Sequence, residues 1–300
     1  MKNMKKILTI TLLSLTTAFA FAGDDGNDIK NFRFGLKVTP SINWYKPDGT
    51  IMSGNGAGVK FGGGLILEFR LSKVISLQTG LQLDLDGGKI KYNNGGVQSP
   101  NANRVGYYYN NPNQQIVTPG SGSPTDPNYT YYQLNDRVYK ATYVTIPLTL
   151  KMKTKEIGIL TYYGQIGVNS SIRATGKATD DVTVSYQNPS QNLITTPVSN
   201  NAAAATLTNL NITKDLSFLH ETLNFGLGAE MNISGSTSFT FGLNYLLGFT
   251  NTVKNNSEYL EKVTNNTNYN PITNANGYTM GAMPQSLKSN SVVLTVGVLF

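Results

Sequence analysis

The feature that most limits what this chain can fold into is a period of two. Across 223–233, the odd positions Leu223, Phe225, Leu227, Ala229, Met231 and Ile233 are apolar. The even ones between them are Asn224, Gly226, Gly228, Glu230 and Asn232. An α-helix would scatter these residues around its axis, whereas a strand puts one set on each face. The next segment repeats the pattern, with Phe239, Phe241, Leu243, Tyr245, Leu247 and Phe249 against Thr240, Gly242, Asn244, Leu246 and Gly248; the Ser234-Gly235-Ser236 link between the two predicts a hairpin.

Six more segments alternate in the same way, at 32–44, 59–71, 75–85, 144–152, 162–172 and 292–300. Each is about as long as the roughly 9–11 residues a tilted strand needs to cross a bilayer. Short links near 72–73, 154–158 and 234–236 alternate with long ones at 45–58, 91–137, 177–217 and 252–288. The expected fold is therefore all-β, an eight-stranded antiparallel up-and-down transmembrane barrel with short periplasmic turns and long external loops, in the outer membrane of the cell. A soluble β-sandwich would also alternate, but its strands would not carry so many large aromatics against a uniformly polar second face.

The ends agree with export. Lys2, Lys5 and Lys6 precede an apolar stretch from Ile7 to Phe21 and an Ala20-Phe21-Ala22 sequence, the three-part layout of a signal peptide over 1–22, leaving a barrel domain at 23–300. An uncleaved anchor is the alternative, but Thr9, Thr11, Ser14, Thr16 and Thr17 dilute the stretch. The chain has no Cys, so neither disulfides nor cysteine-bound zinc enter the argument. Loss of the three leader lysines takes the formal charge from +7 to +4, and the remaining basic residues are spread along the chain, which gives nucleic-acid binding no support.

The long links are rich in Asn, Gly, Ser, Thr, Pro and Tyr, as in 107–112 (Tyr-Tyr-Tyr-Asn-Asn-Pro) and 265–271 (Asn-Asn-Thr-Asn-Tyr-Asn-Pro). Such composition predicts turns and solvated chain, a hydrophilic cover rather than a packed second layer.

With the apolar face on lipid, the inward face collects Arg33, Lys37, Lys60, Glu68, Arg70, Asp84, Asp86, Lys151, Lys153, Gln165, Arg173 and Glu230. An eight-stranded lumen is only wide enough to be filled by side chains, so a paired-charge plug is expected, with Arg33, Lys37, Glu68, Arg70, Asp84, Lys151 and Glu230 as its network. A narrow ion path is the alternative. Gly35, Gly62, Gly64, Gly80, Gly167, Gly226, Gly228, Gly242, Gly248 and Gly297 share this face and are expected to make room for the long Arg and Lys side chains.

His220 is the one histidine. With Thr222 on its face it suggests a lipid-modifying hydrolase or acyltransferase, but Glu230 lies about ten residues, roughly 33 Å, down the strand and Glu221 points the other way. No catalytic, metal or cofactor residues are assigned.

At Tyr143-Val144-Thr145-Ile146-Pro147-Leu148-Thr149-Leu150-Lys151 the chain resembles the PorT-like outer-membrane β-barrel family of Bacteroidetes, whose members show Tyr-x-x-Ile-Pro-Leu-x-x-Lys followed by a strand beginning Tyr-x-x-x-Gly, here Tyr163 to Gly167. The likeness extends to Phe34-Gly35-Leu36-Lys37, Gly62-Gly63-Gly64, Gly226-Leu227-Gly228-Ala229-Glu230 and Phe300. It implies a non-enzymatic barrel acting through its external loops or as an accessory to envelope assembly or secretion. It also implies Phe300 as the signal read by the barrel-assembly machinery, with outer-membrane lipid and envelope or secretion proteins as further partners.

Overall fold

A computed structural model describes residues 32–94, 103–118, 128–188, 193–195, 204–235, 237–265 and 278–300. The leader read at 1–22, and most of the Asn-rich run at 265–271, lie outside them. Strands β1 (Phe32–Val38) and β2 (Ser41–Pro47) form the first stave of a barrel, and β3 (Met52–Gly54) stands above it. The second stave is β4 (Ala57–Lys60) with β5 (Gly62–Arg70), and the third is β6 (Ile75–Asp86). After β7 (Lys89–Tyr92), β8 (Asn103–Asn110) and β9 (Gln115–Ile116) come the fourth and fifth staves, β10 (Tyr129–Lys153) and β11 (Leu160–Asn188). Strands β12 (Leu193–Thr195) and β13 (Ala204–Asn211) lead to the sixth and seventh staves, β14 (Leu219–Ser234) and β15 (Thr237–Gly248). Finally β16 (Asn256–Asn265) and β17 (Tyr278–Pro284) precede the eighth, β18 (Leu287–Leu299).

Each stave pairs antiparallel with the next, and β18 returns to β1 in the register Gly35↔Leu299 to Val38↔Val296. The ring is closed, so no row of backbone groups faces hydrocarbon unpaired. The eight-stranded barrel expected from the alternation is thus the observed one.

Its polarity is inside out. Leu227 is 73% exposed and Leu36 59%, while Glu68 is 1% and Lys151 0% exposed. Period two does this directly, because every second side chain on a stave has nowhere to go but the lumen. Pro147 lacks an N–H, and the β10–β6 ladder is open between Thr145↔Gln82 and Leu148↔Thr79; there the Thr79 hydroxyl donates to the Pro147 carbonyl at 2.7 Å.

The long links depart from expectation. The run at 107–109 is the interior of β8, and β10 and β11 continue far past their predicted segments 144–152 and 162–172. The 15 residues of β10 before Val144 extend the wall by about 50 Å along the strand at ~3.3 Å per residue. Single inserted residues steer the extensions. Thr142 opposes Thr175 and Tyr143 opposes Arg173, which leaves Ala174 as a bulge in β11 and turns Gly176, Ala178, Asp180 and Val182 inward. With β7, β8, β13 and β16 they form a packed crown around Tyr92, Tyr107, Leu134, Tyr139, Leu210, Ile212, Leu216 and Leu260, all buried. The expected solvated cover is corrected here: the averaged composition of these links hides apolar residues spaced to fall on one face.

Candidate functional site

Near the short-turn end of the barrel, four staves contribute to one ionic cluster. Arg33 Nη2 lies 2.8 Å from Glu68 Oε1 and 2.7 Å from Glu230 Oε2. Lys153 Nζ lies 2.5 Å from Glu68 Oε1 and 2.9 Å from Glu230 Oε1, and Lys151 bridges the same two carboxylates, at 3.4 Å from Glu68 and in a short contact with Glu230. Three cations thus share two anions, and no fully buried nitrogen or oxygen of the five lacks a partner. Isolated charges here would cost several kcal/mol each in desolvation, and only such dense mutual pairing offsets that. The Tyr163 ring lies over Lys151, its centroid 3.9 Å from Nζ.

Of the seven residues expected to form the network, the structure brings together Arg33, Glu68, Lys151 and Glu230, and adds Lys153. Lys37 and Asp84 sit higher, and among the described residues neither makes an ion pair within 4.0 Å; Asp84 accepts instead from Gln82 Nε2 at 2.6 Å. Lys37 is four residues along β1 from Arg33, about 13 Å at ~3.3 Å per residue, which is beyond contact. Arg70, at the mouth and half-buried, makes none either. The inward glycines serve a purpose other than the expected one. A Cβ on Gly228 would lie 2.2 Å from the Phe241 carbonyl and 2.4 Å from the Tyr163 ring, and one on Gly242 would lie 2.6 Å from the Tyr163 hydroxyl. They admit Tyr163 and close strand approach rather than Arg and Lys; Gly297 alone of the ten has a Lys side chain among its nearest atoms, Lys37 Cβ at 3.1 Å.

Above the cluster is a polar chamber of about 80 Å³, lined by Thr39, Asn43, Gln82, Asp84, Thr222 and Asn224 among others. That is room for roughly half a dozen waters at ~10–15 Å³ each. Asp86 accepts from Asn43 Nδ2 at 2.9 Å and from Ser289 Oγ at 3.0 Å. His220 forms part of the upper wall, its ring centroid 6.0 Å from that of Tyr143 and its Nδ1 3.4 Å from Thr250 Oγ1.

The crown stands above the chamber. Its centre is a second buried ionic group, outside the network expected from the sequence. Arg137 donates from Nε and Nη2 to Asp180 Oδ1 and Oδ2 at 2.8 and 2.7 Å, and its Nη1 lies 3.8 Å from Asp215 Oδ2. Rings of Tyr107 and Tyr139 flank the guanidinium, each centroid 5.8 Å away. Asp215 also accepts from Ser257 Oγ and from the Glu258 amide, which ties the turn at Thr213–Asp215 to β16. Burial raises the Asp215 carboxyl above its ordinary range despite Arg137. The signal was present: Arg137 and Asp180 are charged residues inside runs of Tyr and Val that alternate.

The family model for an outer membrane protein beta-barrel domain matches residues 21–254. The chain belongs to that family. It is a barrel of the outer membrane, as the exposed apolar belt and the closed ring require. Among solved structures the chain is similar to Neisserial surface protein A, at 10% identity over 90% of this chain and 96% of that one with a TM-score of 0.35. It is also similar to OprG from Pseudomonas aeruginosa, at 11% identity over 90% and 95% with a TM-score of 0.33. The outer membrane protease OmpT from Escherichia coli gives 8% identity over 90% and 96% with a TM-score of 0.35. No curated protein matches the sequence significantly.

Phe300, the expected assembly signal, lies on the lipid face 41% exposed, its amide donating to the Phe34 carbonyl at 2.8 Å and its ring 5.7 Å from that of Phe34.

Proposed function

We propose that the protein is a non-conducting, non-enzymatic outer-membrane barrel whose working part is the crown, a rigid platform held outside the membrane for a macromolecular partner. The observation that carries this is the continuation of β10 and β11 beyond the membrane belt into a packed, ionically tied layer. A channel would keep that end open. A hydrolase would need a carboxylate to orient His220, and the hydrogen-bond partner of its ring is the Thr250 hydroxyl. The narrower assignment to the PorT-like branch, with a role in envelope assembly or secretion, rests on the Tyr143-to-Lys151 motif.

Photo-crosslinkers placed singly at Asn111 and Asp181 on the crown, and at Lys73 and Lys155 on the periplasmic turns, test the reading in intact cells. All four positions are exposed. Protein adducts from the crown positions are expected. Adducts from the turns alone would point to a periplasmic accessory and overturn it.

A further inference from the structure

We infer that one side of the outer rim is a binding arc for phosphate groups on the headgroups of outer-leaflet glycolipid. Two pairs of lysines stand directly opposite one another on neighbouring strands, Lys140↔Lys177 on β10 and β11 and Lys46↔Lys288 on β2 and β18. Like charges placed opposite one another destabilise a sheet, so the Lys140–Lys177 pair, with no carboxylate of the described residues within 4.0 Å, calls for an anion to offset it. Lys60, on β4 between the two pairs, starts from the inner face at the mouth between the exposed Val59 and Phe61, and its stem runs past Gly87, where a Cβ would lie 3.2 Å from Lys60 Cε and 2.1 Å from the Tyr139 carbonyl of β10. Among the described residues no carboxylate lies within 4.0 Å of Lys60, Lys140 or Lys177; Asp136 lies 4.0 Å from Lys89, and Asp48, 3.9 Å from Lys288, already partly offsets the Lys46–Lys288 pair.

The height fits headgroups. Lys140 shares its face with Thr142, Val144 and the exposed Ile146, and so stands four residues beyond Val144 at the edge of the apolar belt. Lys46 stands four residues beyond the exposed Ile42 and two beyond Trp44, whose ring packs on Tyr245 at 6.2 Å. Four residues of tilted strand rise about 10 Å, which is within the polar layer that adds roughly 5–7 Å per leaflet once flexible lysine stems bend toward it. The arc is one-sided. At the outer ends of β14 and β15 the same level carries Phe218, Leu219, Glu221 and Phe249, with no lysine. One phosphate of such a headgroup would bridge the Lys140–Lys177 pair, and a second, at the other end of its disaccharide, would reach toward Lys60.

Native mass spectrometry of the full chain released from micelles tests this with three probes: bis-phosphorylated lipid A, the same lipid dephosphorylated, and inorganic pyrophosphate. The wild type should retain the bis-phosphorylated lipid at about tenfold lower concentration than the dephosphorylated one, and pyrophosphate should not displace it at equal concentration. The Lys60→Gln/Lys140→Gln/Lys177→Gln variant should lose the preference, and Lys73→Gln/Lys155→Gln, at the periplasmic turns, should keep it. Heat-modifiable gel mobility reports whether each variant is folded; if the triple variant is not, Lys177→Gln alone should lower the preference at least threefold. Equal retention of the two lipids by the wild type, an unchanged preference in the folded lysine variants, or displacement by pyrophosphate would each overturn the inference.

Discussion

Glu230 is the residue whose loss should be felt most in the barrel. It accepts from Arg33 at 2.7 Å and from Lys153 at 2.9 Å, and makes the short contact with Lys151, all in a space where it is 5% exposed. Glu230→Gln keeps the volume and removes the charge, so three cations are left facing Glu68 alone. Stranding buried charge in this way costs about 3–5 kcal/mol. The double variant Lys151→Met/Glu230→Gln returns the cluster to the wild-type balance of one excess positive charge, and should recover most of that loss. Trp44 is the one tryptophan of the chain and sits at the edge of the membrane belt, so its fluorescence reports unfolding by urea in lipid vesicles without labelling. The four measurements of the double-mutant cycle give the Lys151–Glu230 coupling directly. A single variant within about 0.5 kcal/mol of wild type, or a double variant no better than the single, would refute the reasoning, since the cluster would then be solvated rather than mutually paired.

Arg137→Met strands Asp180 and should loosen the crown by about 3–5 kcal/mol while leaving the transmembrane barrel intact; limited proteolysis should then cut within the crown while heat-modifiable mobility persists. Gly228→Ala forces a Cβ to 2.2 Å from the Phe241 carbonyl and should destabilise by about 1–3 kcal/mol, whereas lipid-facing Gly164→Ala, 3.7 Å from Leu227, should be neutral in the same urea assay. Burial raises the Glu261 carboxyl from 4.5 to about 7, so between those values the native crown holds a proton that the opened chain has released. Crown stability should therefore fall as pH rises from 4.5 to 7 and be flat below 4.5. Hydrogen exchange in β16, corrected for intrinsic rate, should show that slope, and Glu261→Gln should abolish it. Deleting Phe300 removes about 1.5–3 kcal/mol of lipid-facing burial. The truncated chain should refold in detergent but assemble poorly in cells; normal assembly, or equal failure in both settings, would refute a signalling role.

The membrane barrel was legible because two constraints coincide there: lipid demands an apolar outer face, and a narrow lumen demands a polar inner one, so each stave shows its period without dilution. Leu223 to Ile233 is the clearest example, and its odd positions do face outward. The crown was illegible for the converse reason. Its strands have water on one side and a shared core on the other, its surface positions are Asn, Thr and Ser as a loop's would be, and bulges such as the one at Ala174 shift the parity midway. Tyr92, Tyr107 and Tyr139 carry the core, yet a tyrosine among polar residues gives no sign of which side it will take. The cluster was legible in kind, since mixed charges on a lumen face must pair, but not in membership. Which charges meet depends on stagger between staves: Arg33↔Glu68 is a register pair, while Lys151 and Lys153 cross the lumen to reach Glu230.

β10 is the element common to both ionic centres, with Lys151 and Lys153 at one end and Arg137 at the other. The 14 positions from Arg137 to Lys151 span about 46 Å of strand at ~3.3 Å per residue, and the chamber lies along that stretch. Below it, the cluster ties β10 to β1, β5 and β14 across the lumen; above it, Arg137 ties the same strand to β11 through Asp180 and to the 213–215 turn through Asp215. A force on the crown is therefore delivered to a strand already anchored to three other staves of the barrel. Opening a path through the lumen would require breaking buried pairs at both ends of β10, each at a cost of about 3–5 kcal/mol or more. A partner docking on the crown would have to supply that much differential binding energy to open the barrel, whereas holding the crown in its present shape demands none.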